Sequence, residues 1–115
     1  MKWYEGQASD GRVWLLDHIV RVYTGTSNKI ESERILQLAP SLKLVNHSPD
    51  GFNWGYSGSG PAQLALALLL DVLEDGDKAV RLHQLFKERV VANWCQLEDW
   101  VITENEIRRI IEELE

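Results

Sequence analysis

From Gly51 to Leu70 the chain carries no charged side chain. The later part of that run, from Pro61 to Leu70, is built almost wholly from Ala and Leu. Pro61 suits the first position of a helix, where its missing N–H costs nothing, and strong helix formers follow it. A helix that is apolar on nearly every side has no face to give to water, so it belongs at the centre of a core. Its longest uninterrupted apolar stretch, Leu64 to Leu70, is far shorter than the roughly 20 residues that cross a bilayer. The expectation is therefore a buried core helix in a protein with no membrane partner. At 115 residues, with 44% apolar and 26% charged side chains, one ordered domain over residues 1–115 is expected.

Around that helix, residues 2–5 and 12–23 are rich in Trp, Val, Ile, Leu and Tyr and read as strands. Gly6 and the Asp10-Gly11 dipeptide mark tight connections, and Asp17-His18 marks either a second turn or a bend in one long strand. Glu31 to Leu38 reads as a short helix ending before Pro40, and Leu42 to Val45 as another strand. Gly76 is expected to stop the central helix and Asp77 to cap the next, which presents Ala79, Leu82, Phe86, Val90 and Trp94 on one face. Cys95, the single cysteine, reads as a small buried thiol of a reducing compartment, and His83 as a partly exposed surface residue. Thr103-Glu-Asn-Glu106 is a capping box ahead of Ile107, Ile110, Ile111 and Leu114. Strands first and helices after predict an α+β fold: an N-terminal antiparallel sheet of three to four strands, packed on a central helix at about 61–74 and two further amphipathic helices.

The net charge is −6, and all the excess lies after residue 60. No Lys/Arg cluster exists beyond Arg108-Arg109, itself followed by Glu112, Glu113 and Glu115. A duplex binder needs a basic stripe to displace counterions, so nucleic acid is not an expected partner. The first residues, Met1 to Glu5, lack the apolar stretch of a signal peptide, and a cytoplasmic location is expected.

The unusual segment is His47-Ser-Pro-Asp-Gly-Phe-Asn-Trp-Gly-Tyr-Ser-Gly-Ser-Gly-Pro61. Glycines at 58 and 60 let backbone approach a ligand or adopt positive φ, and the helix starting at Pro61 aims its free amides and positive dipole end at the loop. Ser57 and Ser59 offer hydroxyls, and Trp54 or Tyr56 a ring on which a planar group can stack. The candidate ligand-binding residues are thus His47, Trp54, Tyr56, Ser57, Gly58, Ser59 and Gly60. The competing reading is a tight strand-to-helix connection with the aromatics in the core. The glycine spacing matches neither the dinucleotide fingerprint nor a P-loop.

The segment Asn46 to Asp71, with Phe86 to Val91 and Trp100 to Ile107, resembles a family of small uncharacterised proteins of bacteria, archaea, phages and plasmids. Its core reads H-S-P-x-G-F-x-W-G-Y-x-G-S-G-P-A-x-L-A-L. The resemblance covers roughly residues 44–114. It implies a family rather than a reaction, and its phage and plasmid members imply an accessory or counter-defence role in a host cytoplasm.

Catalysis is hard to assemble: His47, Ser48 and Asp50 are triad residue types, but neighbours in one turn do not form a nucleophile–base–orienter line. Three scattered His and one Cys supply no metal-ligand spacing, so neither metal nor cofactor is expected. Two functions remain. One is a non-enzymatic binder of a small anionic, nucleotide-like ligand at the loop, acting as a sponge for a defence signal, with Arg12, Arg21 or Lys43 lending a cation. The other is an inhibitor that docks on a host defence or nucleic-acid enzyme through its Trp residues and acidic half. Either admits self-association into a homo-oligomer.

Overall fold

A computed structural model describes residues 1–8 and 18–115. Strands β1 (Lys2–Gln7), β2 (Ile19–Thr26) and β3 (Lys29–Ile35) are followed by helices α1 (Ala39–Leu44), α2 (Ser59–Leu73) and α3 (Gly76–Arg89). A one-turn 3-10 helix (Val91–Asn93), strand β4 (Trp100–Thr103) and helix α4 (Glu104–Leu114) follow. The four strands form one antiparallel sheet in the order β3-β2-β1-β4. The α+β class is as expected, and the fourth strand comes from the far end of the sequence, where Ile102 pairs with Tyr4.

The all-round apolar helix lies where its composition requires. Every residue of α2 from Gly60 to Leu69 is buried, as is Val72. One layer over it is the inner face of the sheet, with Tyr4, Val20, Val22, Trp100 and Ile102. Ala79, Leu82 and Phe86 of α3 and Ile107 and Ile111 of α4 complete the core. Thr103 caps α4 as predicted: its hydroxyl accepts from the Glu106 amide at 3.0 Å, and the Glu106 carboxylate accepts from the Thr103 amide at 3.1 Å.

Several expectations are corrected. Residues 31–35 extend as β3 instead of turning as a helix. The strand is an edge whose inward positions are Ser32 and Arg34, paired with Thr24 and Val22, so polar residues on both faces hide the two-residue period. The segment read as a strand at Leu42–Val45 lies mostly in α1, because Pro40 opens that helix rather than ending one. Gly6 is paired within β1 and is no turn. The end of α2 is Glu74 in the left-handed region, and Asp75 rather than Asp77 caps α3, its carboxylate accepting from the Lys78 amide at 3.1 Å. Trp94 lies past α3 and stacks on Trp100 with ring centroids 4.1 Å apart. Cys95 follows it in an exposed connection, since the helix that would have buried it ends at Arg89. The strand reading over residues 12–17 and the Asp10-Gly11 turn lie outside the described residues. His18 is a turn residue with φ of 56°.

Asp71, in the last turn of α2, ties the helix to the sheet. Its Oδ2 accepts from the Tyr4 hydroxyl at 2.6 Å and from Lys2 Nζ at 3.0 Å, and its Oδ1 from Arg34 Nη2 at 2.8 Å. Burial would push this carboxyl up, but the hydrogen bonds from Tyr4, Arg34 and Lys2 outweigh it and hold Asp71 below the usual carboxylate range. The Tyr4 phenol is pushed up by burial and by the facing carboxylate. A depressed carboxyl contributes stability above its unfolded pKa and loses it as pH falls toward the folded value. Asp71→Asn is therefore expected to cost about 2–3 kcal/mol at pH 7, the scale of lost charge-assisted hydrogen bonds. The gap from the parent should close as pH falls through the carboxylate range, as read by urea unfolding at a series of pH values.

Candidate functional site

Residues 45–58 run from α1 to α2 and cross the flank of α3. Their anchor is Gln63, the one polar side chain between Gly60 and Leu70. Its fully buried amide uses both ends. Oε1 accepts from the amides of His47 (2.7 Å) and Ser48 (3.0 Å), while Nε2 donates to Ser41 Oγ (2.9 Å) and the Val45 carbonyl (3.1 Å). One side chain thus satisfies three backbone groups of the segment leaving α1, at Val45, His47 and Ser48, and ties them to the Ser41 hydroxyl of that helix. Ser48 Oγ donates to the Gly51 carbonyl at 2.7 Å and closes the turn that follows.

The clasp sets His47 against α3. His47 Nε2 lies 3.0 Å from Nε2 of His83. The expectation of a surface His83 is corrected: it is 4% exposed, because the loop covers that flank of the helix. His83 Nδ1 lies 2.6 Å from the Val80 carbonyl, which cannot donate, so that nitrogen carries the proton. His83 Nε2 is then a lone pair that accepts from His47 Nε2–H. Burial, His83 and Lys87 hold His47 below the usual imidazole range.

One turn beyond His83, the Lys87 side chain is only 12% exposed and its Nζ lies 3.1 Å from Glu88 Oε1. The same carboxylate oxygen accepts from Ser57 Oγ, and these two donors hold Glu88 below the usual carboxylate range. Ser57, Lys87, Glu88, His47 and His83 thereby line the crossing of loop and helix. Sequence reading missed Gln63, His83, Lys87 and Glu88. The usable signals were a lone amide inside an apolar helix and the four-residue spacing of His83 and Lys87.

The remaining sequence-predicted residues divide between this crossing and the core. Trp54 is fully buried, donates Nε1–H to the Glu98 carbonyl at 3.2 Å, and packs edge-on against His18 and Trp100. Both of its faces are committed, so it offers no ring for stacking. Tyr56 is 41% exposed. Gly58 is the extended residue before α2, with φ −157° and no side chain to cap the first amides. A Cβ there would stand 2.5 Å from the Tyr56 ring, and one at Gly60 would stand 2.6 Å from Asn53 Cβ. Ser59 is exposed at the first turn of α2. Positive φ in this segment falls at Gly51, at 135°, and at Gly55, at 86°; a Cβ at Gly55 would lie 2.5 Å from the Gln96 amide nitrogen. Among the described residues no group of three or more His, Cys, Asp or Glu is placed to hold a metal ion.

Three substitutions check this arrangement. Gln63→Leu strands the amides of His47 and Ser48 without an acceptor and should cost about 2–4 kcal/mol, with hydrogen exchange at those two amides rising ahead of global unfolding. Gly55→Ala should destabilise by more than Gly51→Ala: both positions have a φ that strains an L side chain, but a Cβ at Gly51 meets nothing within 4 Å, whereas one at Gly55 clashes with the Gln96 backbone at 2.5 Å. Paired thermal melts read the difference.

No curated protein and no solved structure matches the chain. A family model described as a family of unknown function (DUF6166) matches residues 4–113, spanning the sheet, the glycine-rich loop, the Gln63 clasp and all four helices. The chain belongs to that family.

Proposed function

We propose that the protein is a non-enzymatic binder that holds a small anionic, nucleotide-like ligand where the glycine-rich loop crosses α3. The observation that supports this is the placement of Lys87 beside Ser57, next to the uncapped start of α2. An anion there would be met by an ammonium, a hydroxyl and the amides at a helix N-terminus, each favouring negative charge. This cation differs from Arg12, Arg21 or Lys43. In the free protein Glu88 occupies both donors, so a phosphate would take the place of its carboxylate. Tyr56 offers the exposed ring for a base. In a mobile element, such a binder would act by sequestering a defence signal.

A panel of mono-, di- and cyclic nucleotides, with inorganic phosphate as control, tests the reading by calorimetry. Binding should weaken about 10- to 100-fold in Lys87→Met, the scale of one charge-assisted hydrogen bond, and tighten in Glu88→Gln, where the competing charge is gone. Absence of binding across the panel, or binding indifferent to both substitutions, rejects it.

A second reading, docking on a host protein, is favoured by the sheet face turned away from the helices. There Trp3 stacks on Tyr23 with centroids 5.6 Å apart, beside the cross-strand row Ile35, Arg21, Glu5 and Val101, whose two ends are exposed and whose Arg21 pairs with Glu33 at 3.3 Å. Aromatic and apolar residues ringed by charge have the make-up of an interface centre. Val101→Glu should abolish a stoichiometric complex with a purified partner while leaving the melting temperature within a few degrees of the parent.

A further inference from the structure

We infer that the outer face of the sheet is a dimer interface, on which a second copy of this chain docks about a two-fold axis running along the strands between β1 and β2. This gives a definite partner to the face that the second reading leaves to a host protein, and it does not depend on the anionic-ligand reading.

The register lays the face out. One row across β4, β1, β2 and β3 reads Val101, Glu5, Arg21 and Ile35, and the next row holds Trp3 paired with Tyr23. The residues that alternate with them, Tyr4, Val20, Val22, Trp100 and Ile102, are buried against the helices. Side chains of a strand point alternately to opposite faces, so both rows stand on the outer side.

A two-fold interface has to complement itself. Rotation about an axis along the strands carries β1 of one copy over β2 of the other, and β4 over β3. Glu5 then lies over Arg21 of the second copy, Val101 over Ile35 and Trp3 over Tyr23, and symmetry makes each match twice. The other face-to-face axis, across the strands, would set Glu5 on Glu5 and Arg21 on Arg21. Charge therefore selects the first arrangement.

The side chains of the single copy are poised for that match. Arg21 spends Nε on Glu33 at 3.3 Å and Nη1 on Gln7 Oε1 at 2.7 Å, which leaves other N–H donors of its guanidinium free. Neither contact goes to Glu5, its cross-strand neighbour, so each Glu5 carboxylate can meet the guanidinium of the second copy. Ile35 is 50% and Val101 61% exposed, and each would cover the other. Trp3 and Tyr23 are already stacked with their planes 17° apart, so the aromatic centre needs little ordering on association. Four strands at the usual spacing give a face about 20 Å wide and about as long. That footprint, about 400 Å², is below the roughly 800 Å² per partner of a stable interface, and the dimer is expected to dissociate in the micromolar range.

The test uses the full chain, with reductant present so that Cys95 forms no disulfide between copies. Sedimentation equilibrium from about 10 μM to about 1 mM should show a monomer–dimer equilibrium in the parent. Glu5→Arg and Arg21→Glu, each alone, set like charges opposite one another and should weaken self-association by at least about tenfold. Mixed in equal amounts, the two variants should form a heterodimer near the parent's affinity, because a copy with two cations meets a copy with two anions. A parent that stays monomeric to the highest concentration overturns the inference and leaves the face to a foreign protein. A mixture that associates no better than its separate components overturns it as well. Where circular dichroism shows that a variant fails to fold, the parent's amide resonances decide: shifts that grow with concentration must fall on β1, β2 and Val101, and shifts confined to the helices overturn the interface.

Discussion

A helix with no polar face is stable in water only when other elements surround it, and α2 imposes that demand on the whole chain. Its removal from water contributes on the order of 25 cal/mol per Å² of apolar surface, and no single neighbour can supply the cover. The sheet takes one side, α3 and α4 others, and the end near Ser41 is closed by α1. Every described element except the exposed edge strand β3 contributes buried side chains to this interior. Among the described residues the helices cover the sheet on one side only, the side from which the apolar demand comes.

Burial alone leaves the neighbours free to slide, and two polar side chains on the helix remove that freedom. Gln63 near its start and Asp71 in its last turn each gather several partners from distant parts of the chain. A buried amide or carboxylate stripped of partners would cost more than the contact gains. The two groups therefore act as positional keys. Asp71 sets β1 and β3 against the helix, and Gln63 sets the loop that brings His47 to His83.

Legibility from the sequence followed how local the deciding interaction was. The central helix, the α4 capping box and the apolar stripe of α3 were readable because propensity, caps and period act within a few residues. β3 was not, because what holds it extended is pairing with β2 and the reach of Arg34 to Asp71, contacts made at long range. Pro40 was misread for a related reason: proline serves equally to end one helix or to begin another, and only the neighbours decide. In the glycine-rich segment the unusual composition was visible, yet the residue types did not tell Trp54, which is core, from Ser57, which meets α3. His83 looked like a surface residue since the loop that buries it comes from 36 positions earlier.

The position of β4 bears on how the chain reaches its fold during synthesis. β1 leaves the ribosome well before β4, yet one of its two neighbours is that strand, which pairs Thr103 with Trp3. Until that late segment emerges, the hydrogen-bonding edge of β1 is unsatisfied and the Tyr4 side of the sheet lacks Ile102 and Trp100. Closure of the sheet is thus a late, non-local event, and slow by the loop entropy it must overcome. From the emergence of β1 until residue 103 is made, the nascent chain carries an open strand edge, a state in which pairing with another chain competes with pairing with itself.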